Sequence, residues 1–216
     1  MCNLYRQRSG PQAIMDLGRA MRNVAGNLPP GDVYPDYTAP IVRMEGSDRV
    51  LATARWGMPA PAFALEGKKT DKGVTNIRNT KSPHWRRWLS PEHRCLVPFT
   101  AFSEPSRDAD GNYEPVWFNL PDQPDGLAFF AGVWVPQWTS VRKLKEGEVT
   151  ADLFAFLTTE PSEPVKSVHP KAMPVILSDA DEIEKWLSAE WKVVSALQRP
   201  LAAGQLAKLT ASGIDG

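Results

Sequence analysis

Residues 127–135 read LAFFAGVWV, a run without one charged or polar side chain. A strand with one face in water alternates apolar and polar residues, whereas a strand covered on both faces is apolar throughout. We therefore expect this segment to be a central strand with a packed layer on each side. Residues 114–120 form the strand-like segment that precedes it, and we expect the two to pair.

The segments around this run predict a fold built mainly from strands. Residues 41–44 and 49–54 flank the turn-forming sequence EGSD at 45–48, and residues 27–40 are a proline-rich loop. Further strands are expected at 94–99, 153–158 and 173–177, and helices at 9–25, 82–89, 179–187 and 195–209. Because strands and helices do not alternate as βαβ units, the pattern indicates an α+β fold. We expect one strand-rich domain over residues 1–216.

The composition argues against several classes of protein. The 25 basic and 25 acidic side chains cancel to a formal net charge of zero, which disfavours a protein that coats nucleic acid. No segment approaches the roughly 18 consecutive apolar residues of a membrane helix, and the N-terminus lacks the apolar run of a signal peptide. The two cysteines make no disulfide framework, and the three histidines lack metal-ligand spacing. We expect a cytoplasmic monomer without metal or other cofactor.

The chain opens MCNLYRQRSG, with Cys2 directly after the initiator methionine. A small residue at position 2 normally permits removal of Met1, which would leave Cys2 with a free α-amine beside its thiol. Such an amine has a pKa of about 7.7–8.0, so much of it is an unprotonated nucleophile at neutral pH. The thiol is readily activated as a second nucleophile. Together they can condense with an aldehyde to an imine and then a thiazolidine; a cysteine present there by chance is the alternative.

Two further segments carry polar residues that an active site can use. Asn76 and Arg78 alternate around an isoleucine, so in an extended strand both face one side, where they suit an oxyanion or a phosphate. A solvated edge strand is the alternative. Glu104 follows a largely apolar run, where partial desolvation raises the pKa of a carboxyl, as a general acid or base requires. A surface turn at residues 103–105 is the competing interpretation.

A histidine and an aromatic segment complete the set of candidates. His169 lies in the long polar stretch 158–174, and loops on a rigid scaffold often carry functional side chains. A loop histidine can titrate near neutral pH, although a lone surface histidine often has no role. Arg55 and Trp56 lie in ARWGMPAP (54–61), whose residue types suit a surface on which unpaired bases stack. A tryptophan in the core is the alternative there.

Taken together, these segments resemble the SRAP family, the SOS response-associated peptidases that process abasic sites in DNA. An ordered set of motifs over nearly the whole chain carries the likeness. The motifs are Met-Cys at the start, the proline-rich loop before Pro40, Arg55-Trp56-Gly57, Asn76-x-Arg78, Arg94-Cys95-Leu96-Val97-Pro98, Phe102-x-Glu104, Thr158-Thr159, and His169 with Met173-Pro174. The resemblance also implies a pseudo-barrel of mixed strands with peripheral helices.

The resemblance implies a covalent reaction with abasic sites in single-stranded DNA. Cys2, freed by removal of Met1, would attack the ring-opened deoxyribose aldehyde and form a thiazolidine crosslink, with associated lyase and peptidase-like self-processing activity. Asn76 would hold the N-terminus and the sugar, Glu104 would shuttle protons, and His169 would assist the sugar chemistry and crosslink reversal. The implied DNA contacts are Pro40, Arg55, Trp56, Arg78, Lys81 and Lys171.

The chain departs from the family pattern at several positions. Asn3-Leu4 stands where the family usually has glycine and arginine, so a basic residue at position 4 is missing. Pro105 replaces a frequent tryptophan, and Lys171, within HPKAMP (169–174), stands in for an arginine. Two alternatives to covalent DNA chemistry stay open on the residues alone. One is an amidohydrolase or peptidase with Cys2 as N-terminal nucleophile, and the other is a non-catalytic single-strand-binding module.

Overall fold

Strands dominate the fold of the computed structural model, which describes residues 2–107 and 110–209. The strands are β1 (Leu4–Gln7), β2 (Arg22–Asn23), β3 (Gly31–Val33), β4 (Thr38–Glu45), β5 (Asp48–Trp56), β6 (Asn76–Ile77), β7 (Arg94–Phe99), β8 (Ala101–Arg107), β9 (Tyr113–Asn119), β10 (Ala128–Val141), β11 (Glu148–Thr159), β12 (Met173–Pro174), β13 (Ile176–Leu177) and β14 (Ala207–Lys208). The α-helices are α1 (Pro11–Gly18), α2 (Ala62–Leu65), α3 (Pro83–Arg86), α4 (Val165–Val168), α5 (Ala180–Ser188) and α6 (Trp191–Val194). No α-helix of the described residues is long and apolar enough to cross a membrane.

Five strands close into a mixed barrel. β10 pairs antiparallel with β11 and β7, β7 pairs with β4, and β4 pairs with β5. β5 then pairs in parallel with β11, where Arg55 lies opposite Leu153, and this pairing completes the ring. β6 pairs with the next part of β11, so that Asn76 lies opposite Phe156. The predicted α+β fold with a pseudo-barrel is confirmed.

A second sheet, of order β14-β9-β8-β1-β3, covers one side of the barrel. Aromatic side chains of both sheets form the core between them, and Tyr5 meets the ring of Phe130 edge-on at 5.6 Å between centroids. Residues with the opposite orientation, such as Phe129, pack into another apolar cluster that includes Ile14 of α1 and Trp186 of α5. Residues 129 and 130 thus face different cores, which confirms burial of the 127–135 run on both faces.

Most predicted elements are present, and four predictions are wrong, the first of which is the loop over 27–40, since this segment contains β3 and the start of β4. Residues 114–120 pair with β8 and not with the apolar run, because β8, which the sequence did not predict, lies between β9 and β1. The first helix ends at Gly18, where Arg19 adopts a left-handed conformation with φ of 51°. The final helix over 195–209 is replaced by a short 3-10 turn and β14, since Pro200 and Gly204, with φ of 87°, interrupt it.

Candidate active site

The N-terminal segment lies at the core between the second sheet and the barrel. Cys2 is completely buried and belongs to that apolar cluster. Its Sγ lies 3.5 Å from the backbone oxygen of Leu4, to which it donates a weak hydrogen bond. β1 begins at Leu4, which lies opposite Ser103 of β8, so the pairing of β1 fixes the position of Cys2. Met1 lies outside the described residues.

Asn76 binds the main chain of Cys2. The short strand β6 holds Asn76 beside β11, and its Nδ2 donates to the backbone oxygen of Cys2 at 2.8 Å. Its Oδ1 is buried and has no hydrogen-bond partner among the described residues. A buried acceptor without a partner costs free energy. This oxygen is therefore suited to accept a hydrogen bond from a free amine on Cys2.

Glu104 is a buried carboxyl in the middle of β8. It lies opposite Val116 of β9, and its side chain is completely covered. The alternative of a surface turn at residues 103–105 is therefore wrong, because this segment is a strand with β1 on one side and β9 on the other. Desolvation raises the pKa of Glu104 from its ordinary value to about 7. The carboxyl consequently exists in both protonation states near neutral pH, as the sequence analysis expected.

His169 contacts this carboxyl directly. It follows the last residue of α4, and its Nδ1 lies 3.2 Å from Oε2 of Glu104 and 3.0 Å from the backbone oxygen of Ala172. Because a carbonyl oxygen can only accept a hydrogen bond, the proton of the neutral imidazole belongs on Nδ1. The side chain is 15% exposed, so this histidine connects the buried carboxyl with the protein surface.

The structure thus brings Cys2, Asn76, Glu104 and His169 into one site. Burial raises the pKa of the Cys2 thiol well above its usual value, and the charge of Glu104 raises it further. The thiol in this position is therefore a neutral S–H at physiological pH. The expectation of a readily activated thiolate does not fit this environment, and an α-amine at Cys2 is the better first nucleophile.

Three basic residues with implied DNA contacts lie at the surface. Arg78 is 46% exposed and forms an ion pair of 3.3 Å with Glu160. Lys81 shares with Arg78 a surface cavity of ~480 Å³ that Thr158 and Thr159 also line. Lys171 is exposed and follows His169 by two residues. These side chains can reach a ligand in solution. Arg78 directly follows β6, which carries Asn76, and Lys171 lies between His169 and β12.

The other implied DNA contacts lie deeper. Arg55 donates two hydrogen bonds of 2.6 Å to the carboxylate of Asp36 and one of 3.0 Å to Glu146, so its guanidinium is held within the protein. Trp56 is completely buried, and its indole donates to the backbone oxygen of Thr75 at 3.1 Å. This tryptophan belongs to the core, the alternative already considered, and its ring cannot stack on a base. Pro40 is also buried.

One residue that the sequence analysis did not single out joins the elements around the site. Gln198 donates from Nε2 to the backbone oxygens of Arg78 and Thr158, at 2.8 and 3.0 Å, and accepts from the hydroxyl of Thr80 at 2.8 Å. It therefore ties the segment after β6 to the end of β11. The glutamine lies just before Arg199-Pro200, and the proline was the available signal that residues 195–209 are not a continuous helix.

Residues 2–107 and 110–209 contain no group of three or more histidine, cysteine, aspartate or glutamate side chains arranged to hold a metal ion.

Known structures share this fold at low sequence identity. A protein from Bordetella bronchiseptica superposes with a TM-score of 0.70 at 22% identity, over 97% of this chain and 100% of its own. A protein from Bacteroides thetaiotaomicron gives 0.69 at 19% identity, over 100% of this chain and 95% of its own. A phage-related protein from Bordetella bronchiseptica gives 0.68 at 17% identity, over 96% and 93%. No curated protein sequence matches this chain.

The sequence match to a family is nearly complete in length. A family model described as SOS response associated peptidase (SRAP) matches residues 1–213. The chain therefore belongs to the SRAP family.

Proposed function

We propose that this protein detects abasic sites in single-stranded DNA, as a monomer, and forms a covalent thiazolidine crosslink to them through Cys2. The observation that carries the proposal is the convergence of the four polar groups around the N-terminus. Asn76 binds the Cys2 carbonyl at 2.8 Å. The Glu104 carboxyl lies 3.2 Å from His169, and its charge raises the pKa of the Cys2 thiol. A protein that only binds DNA has no need of a buried carboxyl beside a buried cysteine.

The chemistry requires removal of Met1, which converts the peptide nitrogen of Cys2 to a free amine. That amine adds to the aldehyde carbon of ring-opened deoxyribose and forms a carbinolamine. Loss of the carbinolamine hydroxyl as water gives the imine. The thiol sulfur then adds to the imine carbon while its proton passes to the imine nitrogen, which closes the five-membered ring. The net reaction joins protein and DNA and releases one water molecule.

Glu104 is suited to move the protons in these steps. Its pKa of about 7 leaves a substantial protonated fraction at neutral pH, which can protonate the departing hydroxyl. The resulting carboxylate can accept the thiol proton as sulfur attacks and pass it to the imine nitrogen. His169, whose Nδ1 lies 3.2 Å from Oε2, connects the carboxyl with solvent, from which the proton can be restored through the imidazole, while Asn76 fixes the Cys2 main chain for attack. Well-placed reactants gain rate because less orientational entropy is lost on the way to the transition state.

The same groups can serve the associated lyase and self-processing reactions. An imine between Cys2 and C1′ acidifies the neighbouring C2′ protons, so a base such as the Glu104 carboxylate can promote elimination of the 3′ phosphate. Closure to the thiazolidine removes the imine and thereby protects the strand from this cleavage. The exposed cations Arg78, Lys81 and Lys171 are suited to hold the phosphates on either side.

A denaturing gel tests the proposal. The purified protein is incubated with a single-stranded oligonucleotide that carries one abasic site, after intact mass has established removal of Met1. We expect a slowly migrating adduct with wild type and with Cys95→Ala, since Cys95 is a buried core thiol. We expect none of the stable thiazolidine adduct with Cys2→Ala. The absence of any adduct from processed wild type would contradict the proposal and favour the amidohydrolase or binding-module alternatives.

A further inference from the structure

Two tyrosines form an exposed aromatic pair at the surface. The ring centroids of Tyr34 and Tyr37 lie 5.5 Å apart with an angle of 59° between the planes. The two residues are 44% and 56% exposed. Among the described residues, no other aromatic pair has both of its rings exposed, because each remaining ring contact includes a buried or half-buried partner. Two large apolar faces are thus presented to solvent side by side.

The backbone between these tyrosines is held rigidly. The amide of Tyr37 donates to the carbonyl of Tyr34 at 3.1 Å, which closes a tight turn. Asp36, at a positive φ of 74°, receives two hydrogen bonds of 2.6 Å from Arg55 and lies 2.8 Å from Lys143. The rings therefore project from a preorganised turn. A preorganised surface loses little conformational entropy when a ligand binds.

This turn lies next to the N-terminal strand. β3 pairs antiparallel with β1, and the last pair of the ladder is Val33 opposite Tyr5. Tyr34 follows Val33 directly, as Leu4 directly precedes Tyr5, so both residues lie at the same end of this ladder. Cys2 lies two residues before Leu4, the first residue of β1. The tyrosine pair therefore follows the end of the β1–β3 ladder from which the chain leads back to the proposed nucleophile.

A second route of contacts links the turn to Asn76. The carbonyl of Tyr37 accepts from the amide of Trp56 at 2.9 Å, and the indole of Trp56 donates to the backbone oxygen of Thr75 at 3.1 Å. Thr75 directly precedes Asn76, which binds Cys2. The buried Trp56 thus holds the turn through a main-chain hydrogen bond, and the two tyrosines are the aromatic residues of this region that solvent reaches.

The local charges point to bases and not to phosphates as the partner. The cations Arg55 and Lys143 are paired with the carboxylates of Asp36 and Glu146 at distances of 2.6 to 3.1 Å. The charges of this group, which includes the Asp36 of the turn, therefore cancel. Aromatic side chains stack on any unpaired base, whichever base it is, since every base has a π-face.

We propose that Tyr34 and Tyr37 form a stacking platform for the unpaired base that flanks the abasic site. The platform supplies the base contact that the sequence analysis assigned to Trp56, whose ring is buried. An abasic nucleotide has no base of its own, so the neighbouring base has a free face on the side of the lesion. Stacking of that base would hold the strand with the missing-base sugar near Cys2. The proposal rests on the proposed function for its substrate.

Binding without covalent chemistry tests the platform. The probe is a fluorescent single-stranded oligonucleotide with one tetrahydrofuran abasic analogue, which has no aldehyde, and with purines on both sides. We expect the double variant Tyr34→Ala/Tyr37→Ala to raise the Kd measured by anisotropy at least about tenfold. The double variant with phenylalanine keeps the rings, and we expect its Kd within about twofold of wild type. Tyr113→Ala removes an even more exposed tyrosine at the start of β9, and we expect this variant to bind as wild type does.

A second oligonucleotide separates stacking from other contacts. Its flanking purines are replaced by tetrahydrofuran spacers, and we expect wild type and the alanine double variant to bind it equally. An unchanged Kd of the alanine variant on the purine probe would overturn the platform, as would the same loss on both probes. The proposed function is judged separately, by the adduct of wild type with an aldehydic abasic site. A missing adduct refutes that function, whereas the anisotropy comparison still decides whether the tyrosines stack on bases.

Discussion

Nδ1 of His169 lies 3.2 Å from Oε2 of Glu104, and the carboxyl is completely buried whereas the imidazole is 15% exposed. A proton can therefore pass between solvent and a carboxyl that water does not reach directly. Burial first raises the pKa of Glu104 to about 7, and the contact with His169 then supplies the path. We therefore expect both the rate of adduct formation and the free energy of unfolding to depend on the protonation state of Glu104.

Replacement of Glu104 by glutamine is expected to slow adduct formation about 100-fold at neutral pH, because an amide of the same shape cannot transfer a proton. In wild type the acid is lost as the pH rises through about 7, so the rate should level off or fall there although more Cys2 amine becomes unprotonated. The rate of Glu104→Gln should show no such levelling or fall above about pH 7. Single-turnover rates from denaturing gels, taken between about pH 5.5 and pH 8.5, measure both effects.

The control for this comparison is Glu45→Gln, which alters an exposed carboxylate paired with Arg22 at the far end of β4. It should retain the wild-type rate and pH profile. An unchanged rate in Glu104→Gln would remove Glu104 as the proton shuttle.

The same substitution is expected to change the pH dependence of stability. A carboxyl with a pKa of about 7 in the folded state and its ordinary value when unfolded binds more protons in the folded state between those two values. The stability it contributes is therefore fully present below the unfolded pKa and is lost as the pH rises through about 7. The unfolding free energy of wild type should therefore fall by ~3 kcal/mol relative to that of Glu104→Gln as the pH rises from about 4.5 to about 8.

Urea unfolding of both proteins at the two ends of this range measures that difference. Glu146 contributes the opposite slope at lower pH, because its hydrogen bond to Arg55 lowers its pKa, but it is common to both proteins and cancels in the comparison. A constant difference between the two proteins across the range would show that Glu104 does not have a raised pKa.

The elements that the sequence predicted well are those whose pattern is local. β7 runs over the predicted residues 94–99, and the helix at 179–187 begins after an aspartate whose side chain accepts from the amide of Glu182. β8 was missed because Glu104 and Pro105 break its apolar pattern, and a buried polar residue is recognised only when its tertiary neighbours are known. The pairing of β9 was wrong for the same reason, since its true partner was the missing strand.

In the candidate site, too, some features were predictable from local motifs and others depended on the tertiary fold. Cys2, Asn76, Glu104 and His169 were proposed from the motifs, and the structure places them together. Trp56 looks like a stacking residue in sequence, yet its parallel pairing with β11 turns the ring into the core. No local pattern predicts which of two neighbouring aromatic segments faces solvent. That depends on how the barrel closes.

Asn76→Ala is expected to lower the rate of adduct formation about tenfold to 100-fold, because it removes the hydrogen bond that fixes the Cys2 carbonyl. Small displacements of a reacting group have effects of this size. Affinity for an oligonucleotide with the unreactive tetrahydrofuran analogue should stay within about twofold of wild type, because the amide contacts the protein's own main chain. Single-turnover gels and anisotropy measure the two quantities. A loss confined to affinity would assign Asn76 to DNA binding and contradict the positioning role.

Gln198→Ala is expected to destabilise the protein by ~1–3 kcal/mol, because it leaves the carbonyls of Arg78 and Thr158 and the hydroxyl of Thr80 without their side-chain partner. The matched control is Gln12→Ala, which removes an exposed contact with Asp16 on α1 and should change the unfolding free energy by less than about 0.5 kcal/mol. Urea denaturation provides both values. Because Gln198 joins the segment after Asn76 to the end of β11, the adduct rate should fall in Gln198→Ala even at temperatures where the protein is fully folded. A stability loss with an unchanged rate would show that the two ends of the site are held together without it.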